Sequence, residues 1–173
     1  MKNILNLLDE NFEEIRSEFL NYSRKTTNIV GLQDSETYGQ NNIDGWSCIP
    51  LWWQYRPMKM FQKKFPITVE LIKEGPCHAG TGFLVLDPGC SVPPHNHTKD
   101  IWKDKIICQL PLIIPKDGRC GMNVEGEGFD WEEGKIFAFD ANKEHYTYNN
   151  SENKRVTLFF NFDKDYYDTI KKC

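Results

Sequence analysis

No C-x-x-C pair occurs among the six cysteines (Cys48, Cys77, Cys90, Cys108, Cys120, Cys173), no apolar run reaches membrane-spanning length, and no block of like charge interrupts the chain. Each absence excludes something. Without C-x-x-C there is no zinc ribbon and no thioredoxin-type redox pair. Without some 18 consecutive apolar residues there is no transmembrane helix. With 21 basic residues spread among 25 acidic ones, a nucleic-acid surface is not the expected partner. Repeats and low-complexity segments are also missing. The first ten residues turn acidic too early for a signal peptide, so a cytoplasmic chain with reduced thiols is expected.

What remains is enough for one domain: 173 residues, 13% of them aromatic, a composition suited to a packed β-rich core. Leu5, Leu8, Phe12, Ile15, Phe19 and Tyr22 recur every three or four positions and predict one amphipathic helix over residues 3–22, packed outside a sheet. Residues 23–44 are polar and read as an irregular loop. Gly45 to Trp53 opens a strand-rich part that runs to about residue 162. Three tryptophans in that opening suit core or pocket wall, with Trp46 at a pocket edge. Pro66 to Ile72 reads as helix or strand, and Pro66 at a first helical position would suit a helix. Beyond it, turn residues punctuate short β-forming runs: Phe83–Leu86, Ile106–Ile114, Lys135–Phe139 and Val156–Phe162. Strands of that length and spacing predict an antiparallel sandwich or barrel.

The chemistry concentrates in Pro88-Gly89-Cys90-Ser91-Val92-Pro93-Pro94-His95-Asn96-His97. In extended chain, residues i and i+2 point to one side, so His95 and His97 can aim at a common point. Two readings stand at this stage: a metal-binding pair, or two solvated loop histidines. A third histidine, His145, and Arg155 ten residues later favour the first. Alone, Arg155 reads as a surface ion pair. One strand beyond His145, its planar fork also suits two-point binding of a carboxylate. Asp100 reads as a solvated loop carboxylate, His78 as a structural or pocket-wall residue, and Cys90 as packing.

The ordered string Pro88-Gly89, Pro94-His95, Trp131-Glu132-Glu133-Gly134-Lys135, Phe139-Asp140, His145 and Arg155, with Gly45-Trp46-Ser47 and Leu110 to Pro115, resembles the aspartyl/asparaginyl β-hydroxylase family along most of the chain. The resemblance implies a double-stranded β-helix (a cupin-like jelly roll) with an N-terminal helix packed outside. It also implies Fe(II), 2-oxoglutarate and O₂, with hydroxylation of an Asp, Asn or related residue in a peptide, a carrier-bound or a free amino acid. His95 and His145 would hold the metal and Arg155 the far carboxylate of 2-oxoglutarate.

Three positions depart from the family pattern. His97 stands where the family has glycine, which opens the prospect of a three-histidine ligand set. Ile107 and Gln109 occupy the positions of an Arg-x-His pair near the cosubstrate. Gln109 retains an amide there, and Lys105 is a candidate substitute cation. Leu84 stands where a serine often donates. These departures motivate two alternatives: a three-histidine cupin-like dioxygenase that does not use 2-oxoglutarate, and a catalytically idle binding domain.

Overall fold

The computed structural model describes residues 3–25, 44–117 and 119–172. Most of the expected loop, residues 26–43, lies outside the described residues, as do Gly118 and Cys173.

The N-terminal amphipathic run forms two helices rather than one: α1 (Ile4–Glu10) and α2 (Phe12–Lys25). Asn11 makes the break. Its backbone N–H and its side-chain amide both donate to Leu7 O, at 3.2 and 2.8 Å, so the last turn closes on itself. α1 starts at Asn3, whose Oδ1 accepts from the Leu5 N–H at 2.9 Å, a capping bond of the usual kind. A four-residue helix, α3 (Lys59–Gln62), precedes α4 (Pro66–Ile72), which carries Pro66 in its first turn. The Glu18 carboxylate on α2 accepts from the Ile67 and Thr68 N–H groups at 2.8 and 2.9 Å. A negative group at a helix N-terminus is favoured there, and this one also locks α2 to α4. The chain closes with α5 (Lys164–Ile170).

The strands are β1 (Trp46–Trp53), β2 (Arg56–Pro57), β3 (Gly80–Leu86), β4 (Cys90–His95), β5 (Lys105–Ile113), β6 (Cys120–Val124), β7 (Glu127–Asp130), β8 (Phe137–Asp140), β9 (His145–Asn149) and β10 (Arg155–Asp163). They form two antiparallel sheets, one ordered β2-β1-β3-β10-β5-β8 and one ordered β4-β9-β6-β7. This is the expected double-stranded β-helix, with helices outside.

The larger sheet is buried on both faces, and β10 shows why its sequence is nearly continuous in apolar residues. Val156, Leu158, Phe160 and Phe162 face the helices and join Ile15 and Phe19 of α2 and Phe83 and Val85 of β3 in one core. On the other face, Phe159 packs with Val92 and Met122 of the smaller sheet and with Trp46, Leu84, Ile107 and Phe139. The second core therefore lies between the sheets, and Arg155 and Thr157 share its side of β10 by alternation. A bulge between Pro50 and Trp52 on β1 changes that strand's parity. Trp46 and Cys48 thus pack between the sheets, while Trp52 joins the helix-side core and stacks on His78, ring centroids 4.1 Å apart.

Candidate metal centre

His95 and His145 are direct partners across β4 and β9. From Val92 to His95 is three residues, whereas their partners Thr147 and His145 are two apart, so β4 carries one extra residue at Pro93-Pro94. Neither proline can donate to a ladder, which makes this the natural place for a bulge. The bulge re-aims His95 onto the face that Val92 occupies. His97, two residues on, lies just past the strand. Its backbone N–H donates to Ala141 O at 3.1 Å, and its ring packs against Trp102 at 4.8 Å.

The three rings form one cluster, with centroids 4.2 Å apart for His95–His145, 5.3 Å for His95–His97 and 5.2 Å for His97–His145. One nitrogen from each lies within 4.8 Å of the others. His97 and His145 are each 6% exposed. The Nδ1 atoms of His95 and His145 lie 2.8 Å from the carbonyls of Pro93 and Lys143. A carbonyl only accepts, so both Nδ1 atoms carry the proton and both Nε2 atoms present a lone pair. Such a bond to the distal ring nitrogen is how metal-binding histidines are usually oriented. Asp100 opens a short 3₁₀ turn, is exposed, and does not join the cluster.

Burial pushes all three imidazoles below their ordinary range, and mutual repulsion adds to it for His97 and His145. His145 falls to about 4. The cluster is therefore neutral at pH 7, the form that ligates a metal. The same shifts set the stability of the metal-free protein. The folded values lie below the unfolded one of 6.5, so the unfolded chain takes up more protons as the pH falls. Stability is complete above pH 6.5 and declines as the pH drops from there toward 4. Denaturant titrations of chelator-treated protein at pH 7.5 and 5 are expected to differ, with His145 alone contributing up to about 3 kcal/mol over the full window. Equal stability at the two pH values would contradict the buried neutral cluster.

Arg155 is 1% exposed, at the start of β10. Its Nη1 donates to Thr157 Oγ1 at 3.3 Å, and that hydroxyl donates to Gln109 Oε1 at 2.8 Å. Its Nε and Nη2 are buried without a partner, and so is the indole N–H of Trp131, over whose ring the guanidinium lies at 5.5 Å. Burial lowers the Arg155 pKa to about 10, which leaves it cationic at neutral pH. A buried cation facing no carboxylate among the described residues fits an anionic ligand.

Trp46 and Arg155 flank Leu86 in one row across the large sheet, as its partners on β1 and β10. Gln109 is tied into the Arg155 group through Thr157. Lys105 is not brought to it. Alternation gives Lys105 the same parity as Gln109, but its register partner is Asp163, at the far end of β10 from Arg155, and it forms an ion pair with that residue. The expected substitute cation is therefore absent from this group. Ile107 and Leu84 lie buried between the sheets. Thr157 and Trp131 were not anticipated as site residues. Thr157 could have been found as the residue two places past Arg155 on the same strand face.

Fold and cluster together define a double-stranded β-helix protein with a three-histidine candidate metal centre between its sheets. The sequence profile of aspartyl/asparaginyl β-hydroxylases matches residues 9–165, and the chain belongs to that family. It is 29% identical to the human aspartyl/asparaginyl β-hydroxylase over 154 residues, 86% of this chain and 19% of that protein. It is 28% identical over 103 residues to an ornithine lipid ester-linked acyl 2-hydroxylase of Rhizobium tropici, 59% of this chain and 36% of that protein. The chain thus spans about a fifth of the first relative and about a third of the second. Among solved structures, a predicted oxalate decarboxylase of Thermotoga maritima aligns over 54% of this chain and 72% of its own, with 17% identity and a TM-score of 0.41. Among the described residues, no helix is long and apolar enough to cross a membrane.

Proposed function

We propose that this chain is an Fe(II)- and 2-oxoglutarate-dependent hydroxylase. The observation that carries this reading is Arg155, a buried guanidinium with two unpartnered nitrogens, in the same space between the sheets as three neutral histidines. His95, His97 and His145 would hold the metal through one nitrogen each, leaving coordination positions open to small molecules. With the iron bound, such a centre couples the conversion of 2-oxoglutarate and O₂ to succinate and CO₂ with the insertion of one oxygen atom into a substrate C–H bond, the other oxygen ending in succinate.

The chain's own residues do the positioning. Arg155 pairs with the far carboxylate of 2-oxoglutarate, where two parallel N–H donors fit a carboxylate's two oxygens. Thr157 and Gln109 fix the guanidinium's orientation from behind. The Pro93 and Lys143 carbonyls hold the His95 and His145 rings in the tautomer that ligates. Trp46 and Trp131 wall the space and keep water from the carboxylate–guanidinium pair, which strengthens that pair. The three-histidine alternative without 2-oxoglutarate has the buried His97 in its favour, but gives Arg155 no task.

An anaerobic titration of the Fe(II)-loaded protein with 2-oxoglutarate, followed by visible absorption, tests the reading. A saturating band is expected. Iron binding with no change on adding the oxo acid would reject it.

A further inference from the structure

We propose that the substrate enters between the β7 and β8 edges as an extended peptide, presenting an apolar side chain flanked by basic residues; this rests on the hydroxylase reading and names its substrate class.

A cavity of about 370 Å³ opens there, between the outer strand of the small sheet and the outer strand of the large one. Two of its lining residues touch the candidate metal centre. Val124 is the direct cross-strand partner of His145, and the Phe139 ring lies 4.6 Å from the His145 ring. From Phe139 an aromatic wall continues to the mouth, with Phe137 at 5.7 Å and Phe129 a further 4.8 Å on. A side chain that follows this wall arrives beside the histidines.

Two observations fix its chemistry. The wall of Phe139, Phe137 and Phe129 carries no charge, and among the residues lining the cavity the one cation is Lys143 at the rim. The buried cation between the sheets, Arg155, is not among the residues lining the cavity and belongs to the cosubstrate. An aspartate carboxylate would lose its hydration against phenyl rings with no counter-ion, whereas an aliphatic side chain gains by the same burial. The rim is different. Glu125 pairs with Lys143 at 2.7 Å and Asp140 with Lys164 at 3.2 Å, while Glu127 stands outside any ion pair among the described residues. Three carboxylates against two ammoniums leave the rim net negative at Glu127, which attracts basic flanking residues and repels an anionic lipid surface. The edges of β7 and β8 also offer backbone to an extended chain, the usual way a peptide adds to a sheet.

The test is fluorescence anisotropy under argon, with Fe(II) and 2-oxoglutarate bound so that no turnover occurs. Dye-labelled nine-residue peptides differ only in the central residue (Leu or Asp) and in the flanks (Lys or Glu). The leucine peptide with lysine flanks is expected to bind at least about tenfold tighter than either the aspartate-centred or the glutamate-flanked one. Glu127→Lys is expected to erase the flank preference, and Phe129→Ala the preference for leucine, with the 2-oxoglutarate absorption unchanged in both. Equal or tighter binding of the aspartate peptide overturns the proposal. So does binding of neutral acyl-lipid vesicles with no peptide binding. A protein that takes no 2-oxoglutarate yet still prefers the leucine peptide loses the cosubstrate reading and keeps this cavity's assignment.

Discussion

Arg155→Met is expected to melt higher than the parent protein when no ligand is present, and to bind 2-oxoglutarate at least about 30-fold more weakly. The two effects have one cause. In the ligand-free fold the guanidinium is buried, with Nε and Nη2 unpartnered, and the Trp131 face and one 3.3 Å bond to Thr157 offset only part of its lost hydration. A buried cation in that state costs several kcal/mol, and replacing such groups by an apolar side chain of similar volume commonly stabilises by about 1–4 kcal/mol. Once a carboxylate is present the sign reverses, because truncating one member of a buried charge pair costs about 2–5 kcal/mol of binding. Melting curves with and without saturating 2-oxoglutarate separate the terms. At a ligand concentration a hundredfold above the parent's Kd, the parent should gain about 2.7 kcal/mol and the variant no more than about 0.9 kcal/mol. A variant that melts lower than the parent and shifts with 2-oxoglutarate as far as the parent does would remove Arg155 from the cosubstrate site. A residue held ready for a ligand would carry such a cost, leaving the fold less stable than it could be.

The same residue shows what a sequence can and cannot say. Spacing put Arg155 one strand past His145, and alternation put it on one face of that strand. Its burial and its lack of an ion pair come from the other sheet, which no local pattern reports. Lys105 makes the complementary point. It shares a strand with Gln109, but sharing a strand does not set a height along it, and the register with β10 put it beside Asp163. The division of the strands into sheets of six and four was equally hidden, because β3–β10 and β5–β10 pair residues far apart in the chain. At the N-terminus the periodicity was right, yet a single asparagine that bonds back to Leu7 splits the helix. The histidines were the most legible feature. Even there, the i, i+2 spacing showed only that His95 and His97 can converge, while the bulge at Pro93-Pro94 and the bond from His97 N–H to Ala141 O turn that ability into a cluster.

His97→Gly is expected to weaken metal binding by roughly 100-fold or more, beyond the 10–100-fold that losing an outer partner of a ligand typically costs. The motivation is that His97 is as buried as His145 and equally neutral, with its ring 5.2 Å from that of His145. A surface histidine two residues past a strand end would have neither property. Deleting the ring leaves His95 and His145 as a facing pair, so the site should still take metal at high concentration, and Arg155, on the opposite sheet, should still take the oxo acid. Competition against a calibrated chelator measures the metal affinity, and the absorption titration at saturating Fe(II) measures the cosubstrate. Lower metal affinity with an intact 2-oxoglutarate band would make His97 a ligand of a hydroxylase. Lower metal affinity with no band in either protein would favour the three-histidine dioxygenase. Unchanged metal affinity would return His97 to packing against Trp102 and leave the metal to two histidines, which is what its replacement of a family glycine first put in question.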